Sequence, residues 1–474
     1  MLAYWANNVN HPVWPGVMHM HVGDIGGLRA PEQAPAGGVH GYARRNALGQ
    51  DRAAAAPPGY AWLLDVVLGG APAVTWAAAG ELPPGFDRTE QLAVLPAIAG
   101  RSLLVSVRSR RGASSAMTSY NALRSPRSRL ARRVVGAGLR TGLAQLLLPG
   151  KIDVGRAVSA PGGHLADVLL TEHLSELFGC GPVVVAISGG EGLYRKPILQ
   201  VFSADGTPLG FVKVGWNDWT RDAVRREAAG LRACADGATD RLGAPVLLRH
   251  DEWHGLELLI TAPIPAGVRR IAVRSPLPDV EVLREISRLS EPHAGELATS
   301  PWWLGLHSRI ARVADPATRA ELDAMTSRVE DAGGHARLEF GTWHGDFVPW
   351  NLAWVGSRLY AWDWESSAAQ APVGFDALHF YFQVAFVARQ LPLEEAALAA
   401  LKAAPALSAL GVAAAAHRLV AALHLLELYV SHEVARGETS RADDRFHPAV
   451  TGVLDRLLGE PSGAGRPHFS GRYT

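Results

Sequence analysis

Apolar and polar positions are most legibly patterned in the middle of the chain. Pro182-Val-Val-Val-Ala-Ile-Ser188 is an apolar run that reads as a strand and leads into Gly189-Gly190-Glu191-Gly192. Ile198 to Ser203 and Leu209 to Val214 read as two further strands. They are joined across Asp205-Gly206, a two-residue hairpin signal. Arg221 to Cys234 has the spacing of a helix, and Val246 to Arg249 and Leu256 to Thr261 return to strand before Pro263 and Pro265. Five strands with one helix after the third predict a small, mostly antiparallel sheet unit over residues 181–265. Residues 266–474 form the next expected unit. It is helical beyond 278, interrupted by a loop and strands over 341–365, and helical again to about 459.

Upstream the pattern weakens. Residues 1–88 are rich in Ala, Gly and Pro, and are expected to be loosely structured apart from a short helix near Tyr60 to Leu68. Residues 89–180 form an expected N-terminal extension, with a strand at Ser102 to Val107 and an amphipathic helix over Ser128 to Leu148. On that helix Leu130, Val134, Leu143 and Leu147 fall on one side, and Arg129, Arg132, Arg133 and Arg140 on the other. From Arg101 to Lys151 there is no Asp or Glu. The favoured reading packs the leucine side against the neighbouring domain and leaves the arginines solvated. The alternative is a contact with a membrane surface, a polyanion or an anionic protein partner through 101–151.

Composition narrows the function classes. Formal net charge is +1, so no overall field calls for nucleic acid. Two cysteines, Cys180 and Cys234, provide neither a disulfide framework nor a four-cysteine metal site, as befits a reducing compartment. The first residues lack a basic stretch followed by an apolar one, and the apolar stretch Tyr60 to Gly80 is broken by Asp65 and Pro72. A cytoplasmic protein is expected.

The chemistry concentrates in Thr342-Trp-His-Gly-Asp-Phe-Val-Pro-Trp-Asn351, followed by Leu359-Tyr-Ala-Trp-Asp-Trp-Glu365. An Asp and an Asn five apart in a loop, then a second Asp after an apolar strand, suit phosphoryl transfer. Mg²⁺ takes hard oxygen ligands and keeps several waters, so one carboxylate and one amide oxygen suffice beside nucleotide phosphates. The first carboxylate can orient the attacking hydroxyl and accept its proton. No P-loop, H-E-x-x-H pair or G-x-S-x-G elbow is present in the sequence.

In these residues the chain resembles the aminoglycoside phosphotransferase/choline kinase family, through the His-Gly-Asp-x-x-x-x-Asn loop and the downstream Asp. The resemblance implies an α+β, protein-kinase-like two-lobe fold. A small antiparallel sheet lobe with one helix and a larger, mainly helical lobe would follow the N-terminal extension. It implies Asp346 as catalytic base, with His344 and Gly345 shaping the catalytic loop, and Asn351 and Asp363 as Mg²⁺ ligands. Asp376, in Gly-Phe-Asp-Ala-Leu-His, matches an Asp expected to brace that loop, although capping the following helix would serve it equally. Lys213, on the third strand, would contact the ATP phosphates, and Glu227 on the next helix would pair with it. Gly189 and Gly190 would lie at the nucleotide loop, which departs from the protein-kinase G-x-G-x-x-G pattern, and Thr261 would open the adenine-binding hinge. His417, His424 and His432 read as satisfied or solvated helix histidines rather than ligands.

The implied activity is ATP-dependent transfer of a phosphoryl group to a hydroxyl of a small molecule such as a sugar, an amino alcohol or an aminoglycoside. The segment 366–460 carries acids and bases in similar number, so no polycationic acceptor is singled out. The alternative is a catalytically weak, pseudokinase-like nucleotide-binding module docked through its arginine-rich extension. A hydrolase metal site built on His344, Asp346 and His379 lacks a convincing ligand set.

Overall fold

A computed structural model describes residues 60–68, 73–98, 101–120, 123, 126–143, 150–158, 168–189, 194–237, 239–436 and 449–459. The chain is mixed α+β and divides into two compact units. Among the described residues one comprises 60–232 and 244–270, the other 233–243 and 271–459. No described helix is long and apolar enough to cross a membrane.

The first unit is built on one nine-stranded sheet. Its strands are β1 (Val74–Ala78), β2 (Phe86–Ile98), β3 (Arg101–Ser106), β4 (Gly150–Ala157), β5 (Val184–Gly189), β6 (Ile198–Phe202), β7 (Pro208–Gly215), β8 (Leu247–Trp253) and β9 (Leu256–Thr261). They run in the order β1-β4-β2-β3-β5-β6-β7-β9-β8, and every neighbouring pair is antiparallel. The five strands expected over 181–265 are therefore one side of a larger sheet, and β3 pairs with β5 across the expected border near 180.

At β5 both faces of the sheet are covered, which accounts for its uninterrupted apolar run. Val183, Val185 and Ile187 pack with Leu63, Leu64 and Val67 of α1 (Tyr60–Leu68). Val184 and Ala186 face the other way, toward Ala113, Ala116 and Met117 of α2 (Arg110–Thr118). Residues before 89 thus contribute a helix and a strand to the core, more than their Ala/Gly/Pro-rich composition suggests.

The helix α3 (Pro126–Thr141) overturns the expected orientation. Leu130 and Val134 are 66% and 65% exposed, and Leu143, just beyond the helix, is exposed too; Leu147 lies outside the described residues. The buried line is Arg132, Gly136 and Leu139, at spacings of four and three. Arg132 is 1% exposed, and its Nε and a terminal nitrogen donate to the carbonyls of Met117 and Ala116 at 2.9 and 2.8 Å. It thereby satisfies carbonyls in the last turn of α2, at the negative end of the helix dipole. Gly136 fits because a Cβ there would meet Thr118 Cγ2 at 2.9 Å. α3 ends at Thr141, ahead of Gly142 at φ +88°, and the end of the expected helix, residues 144–148, lies outside the described residues.

The second unit holds a three-stranded antiparallel sheet in the order β10 (His293–Glu296), β11 (Arg337–Trp343), β14 (Ala368–Pro372). Between β11 and β14 the chain forms the hairpin β12 (Leu352–Val355) and β13 (Arg358–Ala361), and Leu242–Gly243 pairs parallel to β13. Helices make up most of the remainder, including α4 (Phe375–Gln383) and α5 (His417–Arg436).

Candidate active site

The loop after β11 is held by three neighbours in its own unit. Gly345 sits at φ +80°, and a Cβ there would meet the carbonyl oxygen of Ser366 at 2.2 Å. Only glycine combines that conformation with so close a backbone approach. The backbone N–H groups of His344 and Gly345 donate to the two carboxylate oxygens of Asp376, at 2.8 and 3.2 Å. Asp376 therefore braces the loop, and the N-cap position of α4 is Gly374. Burial pushes the Asp376 carboxyl up to about 6, against the opposing pull of the His344 N–H.

His344 is fully buried and uses both ring nitrogens. Its Nδ1 accepts from the backbone N–H of Asp346 at 3.2 Å, so the ring proton resides on Nε2, which donates to the carbonyl of Trp362 at 3.1 Å. This ties the loop to the residue before Asp363. Burial pushes the ring down to about 4 although Asp346 and Asp363 favour its charged form, so it is neutral at physiological pH. Asp363 itself is left-handed, with φ 71° and ψ 52°, where the chain turns from β13 into the short helical turn Trp364–Ser366. A non-glycine residue in that region is uncommon and is tolerated best by Asp and Asn.

Asp346 is held through both carboxylate oxygens. Oδ2 accepts from Asn351 Nδ2 at 2.6 Å, and Oδ1 lies 3.4 Å from His379 Nε2. Asn351 Nδ2 also reaches the Asp346 carbonyl at 3.1 Å. The Asn351 amide oxygen and the Asp363 carboxylate are both hard oxygen donors. That donor set fits Mg²⁺.

His379 enters the sequence reading only in the dismissed hydrolase set, yet it lies beside Asp346. It stands three residues after Asp376 on α4, so both side chains turn to the same loop. Its Nδ1 lies 3.3 Å from Nε2 of His424 on α5, and both rings are buried. Burial drives His424 well below its usual range, with His379 adding to the effect. With His424 neutral, its N–H can donate to His379, whose other nitrogen then donates to Asp346. His424 is thus a satisfied helix histidine, and its partner His379 leads on to Asp346.

In the first unit, Lys213 on β7 pairs with Glu227, and its ammonium contacts both carboxylate oxygens. The glutamate is 2% exposed and the lysine 12%. Thr261 is buried at the end of β9. Gly189 ends β5, and a Cβ there would meet Leu63 Cδ1 at 2.8 Å, so packing of α1 already requires a glycine. Gly190 lies outside the described residues.

No protein-family model and no curated protein matches the chain. Among solved structures it is similar to a choline kinase, LicA, from Streptococcus pneumoniae, at 13% identity and a TM-score of 0.35, over 58% of this chain and 90% of that one. It is also similar to a choline/ethanolamine kinase family protein from Mesorhizobium loti, at 17% identity and a TM-score of 0.33, over 58% and 92%. A third is a thermostable mutant of the aminoglycoside phosphotransferase APH(4)-Ia in a ternary complex with AMP-PNP and hygromycin B. Its identity is 15% and its TM-score 0.42, over 62% and 99%. These structural neighbours are small-molecule kinases and phosphotransferases. At such identities and scores the likeness decides neither activity nor substrate for this chain.

Proposed function

We propose that the chain is an ATP-dependent phosphotransferase of kinase-like, two-lobe architecture that moves the γ-phosphate to a hydroxyl of a small molecule. The observation that carries the reading is the presentation of Asp346. Its carboxylate is gripped by Asn351 and His379, on a loop that Asp376, His344 and Gly345 hold rigidly.

In this reading Asp346 orients the acceptor hydroxyl and takes its proton as the oxygen attacks the γ-phosphorus. The bond from phosphorus to the β,γ-bridging oxygen breaks, and ADP leaves with that oxygen. His379 fixes the rotamer of Asp346 and donates to the oxygen that is not held by Asn351. His344, with both nitrogens engaged, is a positioning residue. Lys213, aligned by Glu227, would neutralise the α- and β-phosphates, and Thr261 would lie at the adenine. Asn351 and Asp363 would hold Mg²⁺, which supplies charge neutralisation on the phosphate oxygens.

A thermal-shift titration with Mg²⁺-ATP, followed by an ADP-release screen over sugars, amino alcohols and aminoglycosides, tests this directly. A ligand of the folded state must raise the melting temperature. The shift should be Mg²⁺-dependent and should be lost in Asp363→Ala. Asp346→Ala should retain the shift and lose turnover by about 10³-fold, within the range of a removed general base. Near-normal turnover in Asp346→Ala would sink the assignment, as would the absence of any shift at millimolar nucleotide.

A further inference from the structure

The outward line of α3 carries Leu130, Val134 and Ala137, at spacings of four and three. Arg127 flanks that line on one side and Arg133 and Arg140 on the other, and all three arginines are exposed. None of the three forms an ion pair among the described residues. Ten arginines and no acid lie between Arg101 and Lys151, and Arg108, Arg110 and Arg111 at the start of α2 are exposed as well. Three of the eight large exposed hydrophobics among the described residues, Leu130, Val134 and Leu143, belong to this one segment.

We propose that this face of α3 lies on the headgroup layer of an anionic lipid bilayer, with Leu130 and Val134 entering the acyl boundary and the arginines meeting the headgroup phosphates. The pattern is that of an interfacial helix, an aliphatic line between basic flanks. Charge complementarity selects an anionic partner, and the aliphatic line selects lipid over a polynucleotide, which offers no apolar layer to receive leucine. Residues 1–59 of the chain itself are a poor occupant, since they carry three acids against four arginines. The inner side of the helix, with Arg132, Gly136 and Leu139, is already used to hold α2, so the outer face can engage a bilayer without unpacking the fold. This proposal is independent of the phosphotransferase reading, because none of its residues belongs to the site described above.

The test is co-sedimentation of the full chain with vesicles of phosphatidylcholine alone and of phosphatidylcholine with one quarter phosphatidylglycerol, at low and high salt. Binding should require the anionic lipid and weaken with salt. Neutralising one of Arg127, Arg133 or Arg140 to Gln should lower partitioning about five-fold. The double variant Leu130→Ser, Val134→Ser should lower it by about ten-fold or more. These positions are solvent-exposed, so far-ultraviolet circular dichroism and the melting temperature should be unchanged, which separates lost binding from lost folding. No sedimentation with anionic vesicles at low salt overturns the proposal, and so does binding that is unchanged in the serine variant. Retention on a polyanion or an acidic protein that depends on the arginines but not on Leu130 and Val134, without vesicle binding, would also overturn it.

Discussion

Asp376 and Arg132 solve the same physical problem with opposite charge. Each is a buried ionisable side chain that satisfies two backbone groups, the N–H groups of His344 and Gly345 in one case and the carbonyls of Ala116 and Met117 in the other. Each is shifted by burial toward its neutral form, Asp376 up to about 6 and Arg132 down to about 10. Their consequences differ. Asp376 fixes a loop that presents Asp346, whereas Arg132 fixes a helix whose far side presents aliphatic and basic residues to the surroundings. A buried charge is therefore not by itself a mark of catalysis; what matters is the group that the braced backbone displays.

Of the two braces, the larger effect should come from Asp376→Ala. Two buried N–H groups lose their acceptor, at about 1–3 kcal/mol each. We expect a loss of about 3 kcal/mol in the stability of the second unit, read by denaturant unfolding. Turnover should fall about a hundred-fold as the position of Asp346 loosens. If stability falls and turnover does not, the brace is structural only and the contrast with Arg132 disappears.

Arg132→Met should cost less, about 2 kcal/mol, because methionine keeps the apolar stem while the charge-assisted hydrogen bonds are lost. Turnover per folded molecule should stay within two-fold of the parent, roughly the scatter expected for independent sites. A large loss of activity in this variant would show that the end of α2 is coupled to the site, against the distinction drawn here.

The two regions also differ in how much of them could be read from residue order. The strands from Val184 to Gly215 and from Leu247 to Thr261 were legible because β propensity, turn residues and run length all agreed over short distances. The spacing of Asp346, Asn351 and Asp363 is equally local. By contrast, the pattern of α3 predicts leucines inward, because counting hydrophobic positions assumes that charge faces water. Arg132 is buried by the open carbonyls at the end of α2, a partner some 15 residues away that no periodicity reveals. The continuation of the sheet through β1 to β4 was hidden for a related reason, since pairing β3 to β5 joins residues about 80 apart with no local signal. His379 carries a local signal, its place one helical turn after Asp376. His424 had none, because its role depends on the packing of α5 against α4.

The smallest expected effect is also the one that isolates the loop's electrostatics. His344 falls from 6.5 to about 4 on folding, so the unfolded chain binds more protons than the folded one between those values, and stability rises with pH across that window. Asp376 rises from 3.8 to about 6, so the folded chain binds more protons there, and stability falls as pH rises across nearly the same window. Each window corresponds to about 3 kcal/mol at 1.36 kcal/mol per pKa unit, and the two largely cancel. His424, also lowered by burial, adds to the rising side. With that pair largely cancelling, the parent should gain in stability from pH 4 to 6.5 chiefly through His424. Asp376→Asn removes the falling contribution, so its stability should climb more steeply over the same range, although it is lower than that of the parent at neutral pH. Urea unfolding at half-unit pH steps reads both slopes. Parallel curves would mean that Asp376 titrates in the fold as it does in the unfolded chain, and that its carboxylate is compensated more fully by the two N–H donors than burial allows.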